Sequence, residues 1–201
     1  MSFAPILVAF LLGSIPSAVI VGRLAGSDVR KQGSGNPGAA NTWRVAGRVA
    51  GLVVLFLDGF KGWLAAGVLP ALFTDAAPWV APAAAASAVL GHVFTPWFRL
   101  RGGKGVATAA GAIGALAPRL LIAPLAFFVI AFAFRRRVSE ASIVAALTLP
   151  VVAVAYRVLP PPGWPETELL VLSAALAVLV LWSHRANIRR IRAGREPRLG
   201  L

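Results

Sequence analysis

Long apolar runs recur along this chain so closely that they decide its class before any single residue is weighed. They occupy about residues 3–24, 49–69, 78–98, 105–134, 142–158 and 169–183. A helix that crosses a bilayer needs ~20 mostly apolar residues, so 201 residues filled this way leave no room for a separate soluble domain. The expectation is one all-α, polytopic integral membrane domain over residues 1–201. Composition agrees, since 58% hydrophobic and 13% charged residues with a mean hydropathy of +0.79 lie outside the soluble range. The first run is too long for a signal-peptide core and has no basic segment before it, so it is expected to stay as a helix.

A formal net charge of +13 raises the question of nucleic acid. The basic residues, however, punctuate the apolar runs and build no stripe on one face, so no nucleic-acid partner is expected. They report topology instead. Four clusters stand out: Arg23, Arg30, Lys31, Arg44 and Arg48; Arg99, Arg101 and Lys104; Arg135 to Arg137; and six arginines from Arg185 to Arg198. The connections "LPALFTDAAP" and "LPPPGWPETE" hold acids and no basic residue. The positive-inside rule places the clusters in the cytoplasm and these connections outside. The N-terminus is then outside and the C-terminus inside, which requires an odd number of crossings. Pro118 and Arg119 cut the run 105–134 into two pieces, as two crossings or a re-entrant hairpin, and the favoured count is seven helices. The last two runs read as short for a span.

Two loops of the first sidedness are rich in glycine. In "GSGNPGAAN", Gly33, Gly35 and Gly38 let backbone amides turn inward as in an anion-binding nest, while Ser34, Asn36 and Asn41 add hydrogen-bonding groups. Arg44 offers a bidentate fork for phosphate. A turn-rich connector is the alternative. "RGGKGVAT" repeats the recipe, with Gly102, Gly103 and Gly105 around Lys104 just before a helix whose free amides and dipole attract anions. It is not a Walker A loop, because Val106 follows Gly105. Lys104 alone reads equally as a positive-inside anchor; two such loops on one face favour phosphate.

In "LWSHRANIRR", His184 and Asn187 share a face if the helix continues, and the histidine can exchange a proton near neutral pH. The alternative is an interfacial histidine beside Trp182. Asp58 and Lys61 lie inside the second run, spaced for an intrahelical ion pair that serves helix packing or orients a site. The chain has no cysteine, hence no thiolate nucleophile and no thiolate metal site.

Taken together, "GSIPSA", "GSGNPGAANTWR", "LDGFKG", "GHVFTPWFRLRGGKGVAT" and "SHRANIRRIRAGREP" resemble, in order and nearly end to end, the bacterial acyl-phosphate:glycerol-3-phosphate acyltransferase family of PlsY type. The resemblance implies a multi-pass enzyme of the bacterial cell (inner) membrane, its active site at the cytoplasmic face. Its substrates would be acyl phosphate and glycerol 3-phosphate, its surroundings membrane lipid, with neither cofactor nor metal. Its product would be lysophosphatidic acid. It further implies that Ser34, Arg44, His184 and Asn187 serve catalysis, that Gly102, Gly103, Lys104 and Gly105 bind glycerol 3-phosphate, that Ser142 adds to substrate binding, and that Glu196 is structural. Ala40 stands where the family has threonine, and Glu140 where it has an apolar residue.

That chemistry suits the residues. Acyl phosphate is already activated, so positioning and charge stabilisation can supply most of the catalysis without an acyl-enzyme. Ser34 reads as a hydrogen-bond donor more readily than a nucleophile, since no base completes a triad nearby in sequence. A transporter or flippase of a phosphorylated metabolite is the competing class, disfavoured by the lack of a repeat and by polar motifs gathered on one side.

Overall fold

The computed structural model describes residues 3–73, 77–158 and 167–200, all of whose regular structure is helical. The two acid-bearing connections fall partly outside these residues, at 74–76 and 159–166. The chain forms two compact units, residues 1–115 and 116–201.

The first unit opens with α1 (Ala4–Ser14) and α2 (Ser17–Leu24), together a 21-residue apolar span. They part at Ile15–Pro16 because proline lacks an N–H and pushes its predecessor out of helical geometry. Ile15 takes an extended ψ of 121°, and its carbonyl accepts from Ser17 N at 3.0 Å. After the first glycine-rich loop come α3 (Ala39–Ala46) and α4 (Arg48–Trp63), which a π-turn at Leu64–Val68 and a 3-10 turn at Leu69–Leu72 prolong into a 25-residue span. Next are α5 (Val80–Val93), a 3-10 turn at Pro96–Phe98, and α6 (Val106–Leu116).

Glycines bring these helices together. A Cβ on Gly13 would collide with the Ala88 backbone, and one on Gly91 with the Phe10 carbonyl, so α1 and α5 touch main chain to main chain. Gly62 against Thr108 and Gly111 against Gly59 do the same for α4 and α6. This is the packing expected in lipid, where close van der Waals approach replaces a hydrophobic driving force between helices.

The second unit holds α7 (Pro118–Arg135), α8 (Val138–Val158), α9 (Thr167–Ser183) and α10 (Arg185–Arg192). Pro118 sits at the first helical position of α7, where its missing N–H is harmless. The run 105–134 therefore does split at the proline, into helices of 11 and 18 residues, of which the second is long enough to span. The expectation that the run 142–158 is short fails: α8 starts at Val138 and reaches 21 residues. Polar residues at its start are satisfied locally, Glu140 accepting from Arg137 Nη1 at 2.6 Å. Among the described residues, four helical stretches are long and apolar enough to cross a membrane, five if the bent pair α9–α10 counts as one span.

Candidate active site

In the first loop, Asn41 is the organiser. It stands in the first turn of α3, 1% exposed, and its Nδ2 donates to the carbonyls of Val29 (2.8 Å) and Gln32 (3.1 Å), while its Oδ1 accepts from Ser34 N (2.8 Å). Reading Asn41 as a substrate contact is thus corrected: both amide protons hold the loop. Gly33 runs through the left-handed region at φ 60°, and a Cβ there would strike Asn41 Oδ1. Gly35 is also left-handed at φ 70°. Ser34 is left exposed, its Oγ 3.5 Å from Asn36 N. Gly38 is the extended residue before α3, its carbonyl accepting from Thr42 Oγ1 at 3.1 Å. Arg44 is half-buried in the last turn of α3.

The second loop is seated on the end of α5. Gly102 N donates to Val93 O at 2.9 Å and Gly103 N to His92 O at 3.1 Å. These two amides were expected to face a phosphate; they are occupied by the α5 carbonyls that its C-terminus leaves without intrahelical donors. The glycines are required for space instead. A Cβ on Gly102 would collide with His92 O, and one on Gly103 would strike His92 Nε2 and lie 2.9 Å from Pro37 O. The two glycine-rich loops therefore meet at Gly103. Beside them stand the half-buried Lys104 and the first turn of α6, whose amides have no intrahelical acceptor and which Gly105 enters at φ 77°. The wholly buried Thr108 hydroxyl in that turn has no hydrogen-bond partner among the described residues.

Beneath these loops lies a polar layer that sequence reasoning found only in part. Lys61 Nζ is 2.8 Å from Asp58 Oδ1 and donates to the Ile15 carbonyl at 3.0 Å, so the pair closes the backbone gap between α1 and α2. Thr95 Oγ1 donates to Ser14 O at 2.9 Å, and Trp97 Nε1 to Ser14 Oγ at 3.1 Å, from the other side of the same gap. His92 joins with Nδ1 3.6 Å from Asp58 Oδ1. A lone histidine in an apolar run reads as packing; the signal that could have found it was an intramembrane ion pair in want of company.

In the second unit, the helix does not continue straight through His184 to Asn187: a 59° bend separates α9 from α10. His184 occupies the corner, 2% exposed, its Nδ1 2.8 Å from the Val180 carbonyl. A carbonyl only accepts, so this contact puts the ring proton on Nδ1 and leaves Nε2 with a lone pair when the ring is neutral. No glycine or proline announces the bend. Glu196 anchors the tail beyond α10: Oε1 accepts from Ser139 Oγ (2.6 Å) and Asn187 Nδ2 (2.6 Å), and Oε2 from Arg190 Nε (2.7 Å). Burial raises the Glu196 carboxyl, but these donors and the Arg190 charge outweigh it, so the group lies below its ordinary 4.5. Ser139 escaped notice in the sequence. Ser142, buried in α8, turns its hydroxyl back to Val138 O at 2.8 Å.

A polytopic helical membrane protein with two packed glycine-rich, basic loops and a capped histidine defines a class: membrane enzymes that handle phosphorylated substrates. The sequence model of one such family, glycerol-3-phosphate acyltransferase, matches residues 3–194. The chain is 43% identical over 199 residues to a glycerol-3-phosphate acyltransferase of Myxococcus xanthus, spanning 98% of this chain and all of that one. It is 41% identical over 202 residues to one of Bordetella pertussis, covering 99% and 92%. Among solved structures it is similar to PlsY, an integral membrane glycerol 3-phosphate acyltransferase, in its glycerol 3-phosphate form, with a TM-score of 0.87, 35% identity and 98% and 95% coverage. The lysophosphatidic acid form gives a TM-score of 0.84 at 34% identity. The chain belongs to the glycerol-3-phosphate acyltransferase family of PlsY type.

Proposed function

We propose that this protein transfers a fatty acyl group from acyl phosphate to the sn-1 hydroxyl of glycerol 3-phosphate, at the cytoplasmic face of the bacterial inner membrane, as a single domain with about seven transmembrane helices and its N-terminus outside. The observation that carries the reading is the meeting of the two glycine-rich loops at Gly103, beside Lys104 and the first turn of α6. One anion-attracting helix start with a lysine suits a soluble phosphate, and the exposed Ser34 with Arg44 suits the oxygens of a second one.

The reaction runs by direct transfer. The hydroxyl oxygen bonds to the acyl carbon, the bond from that carbon to the phosphate oxygen breaks, and inorganic phosphate leaves with the electron pair. The hydroxyl proton goes to His184 Nε2 or to a phosphate oxygen. Ser34 and Arg44 hold anionic oxygens, Lys104 and Gly102 to Gly105 form the glycerol 3-phosphate loop, Asn187, held by Glu196, serves catalysis, and Ser142 adds to substrate binding. Purified protein given glycerol 3-phosphate with acyl phosphate is expected to make lysophosphatidic acid, and with acyl-CoA none. Product from acyl-CoA alone would overturn the donor assignment.

A further inference from the structure

Three buried ionisable residues in the first unit lie away from the groups assigned to the chemistry, and packing does not explain them. Asp58 is 3% exposed and Lys61 5%. Burying an ion pair gains little stability over apolar residues of the same volume, and ionisable groups at membrane depth are costly enough to signal a task. The Lys61 ammonium has one in closing the α1–α2 gap, but His92 has none there: its imidazole makes no hydrogen bond among the described residues. What the ring touches is the second glycine-rich loop. Its own carbonyl receives Gly103 N at 3.1 Å, its Nδ1 faces Asp58 at 3.6 Å, and its Nε2 lies against the bare Cα of Gly103. Pro37 O lies 2.9 Å from the same position, where a Cβ would stand. A cavity of about 10 Å³ beside the ring is bordered by Ser17, Asp58, Thr95 and Gly102. The imidazole and the Pro37 carbonyl together fill the space a side chain on Gly103 would take, and the imidazole rests on a charge pair anchored to the α1–α2 break.

We propose that His92, seated on the Asp58–Lys61 pair, is a positioning residue that fixes the height of the Gly102–Gly103 turn and so the aim of Lys104 at the phosphate of glycerol 3-phosphate. This rests on the reading of that loop as the glycerol 3-phosphate site. Without the ring, Gly103 loses the side chain it packs against and the lysine beside it loses its register. Binding of the soluble substrate suffers, while the acyl donor and the chemical step are left nearly as they were.

The test is steady-state kinetics on the purified full-length protein, with melting temperature recorded for each variant. His92→Leu, which keeps the bulk and removes the ring, is expected to raise KM for glycerol 3-phosphate about tenfold, with kcat and the donor KM within about threefold. His92→Gln, whose amide reaches the Nε2 position, is expected to recover most of that loss. The effects of His92→Leu and Gly103→Ala on KM are expected to be non-additive, because both act on one contact. A purely structural histidine would lower kcat and the melting temperature together and show additivity, and that outcome overturns the proposal. If His92→Leu does not fold, His92→Ala takes its place in the pair with Gly103→Ala, additive effects refuting the contact. Lys104→Ala separates the two levels: an unchanged KM there removes the loop from the substrate site and the inference with it, whereas a raised KM with His92 variants unaffected removes His92 only.

Discussion

Within residues 1–115, the turn at Gly102–Gly103 is held by α5 carbonyls against glycines that admit no side chain; within residues 116–201, the tail beyond α10 is held by one carboxylate with three side-chain donors. The difference lies in what each arrangement tolerates. Main-chain contact leaves no atom that can move aside, so its failure is abrupt. A carboxylate hub is reached by flexible side chains, so its failure is graded and depends on pH. A loop that must keep a lysine aimed at a small dianion gains from the first kind of support. A tail that orients one asparagine needs only the second.

The largest effect expected from this contrast is at the glycine crossings. Gly111→Val would drive a branched side chain into the Gly59 carbonyl, where no rotamer can relieve it. A cost above about 4 kcal/mol is expected, enough to deplete folded protein. Ala126→Val, which adds two of those three carbons at an exposed position on α7, is expected to change stability by less than about 0.5 kcal/mol. Gel filtration in detergent distinguishes the two, and a monodisperse Gly111→Val protein would break the contrast.

Glu196→Ala comes next, at about 3 kcal/mol, because Ser139, Asn187 and Arg190 lose a shared acceptor. Since the folded carboxyl lies below its ordinary 4.5, its contribution is fully present above 4.5 and is lost as pH falls through the folded value. Thermal unfolding followed from pH 7 downward is expected to show that acid-side loss in the wild type and a flatter profile in Glu196→Gln. Equal profiles would mean the carboxylate carries no such linkage.

A smaller, local effect is expected of Asn41→Ala, about 2 kcal/mol in the loop alone. Ser34 N would lose its acceptor, and the carbonyls of Val29 and Gln32 their donor. Amide exchange should quicken across residues 28–34 while the helices keep their protection. Unchanged exchange would return Asn41 to the substrate contacts.

These positions also show what a sequence discloses. The helix break at Pro118 was legible, because proline acts through its own ring whatever surrounds it. The glycine-rich loops were legible as loops, yet the use of Gly102 and Gly103 was not, since space and free amides demand the same residue. The bend at His184 left no mark, having neither glycine nor proline. The start of α8 was hidden by Glu140, a charge that hydropathy counts against a helix and that Arg137 satisfies at 2.6 Å. Asn41 looked like a ligand for the reason that it organises the loop: an amide can bond several ways, and its partners are set by tertiary neighbours.

Direct transfer separates this account from any in which Ser34 is acylated. Mixing the wild-type protein rapidly with acyl phosphate alone, then recording the intact mass over the time of one turnover, addresses it without a variant. The account predicts an unmodified mass and no phosphate release until glycerol 3-phosphate is added. An adduct of one acyl group on Ser34, forming and decaying at the catalytic rate, would contradict it.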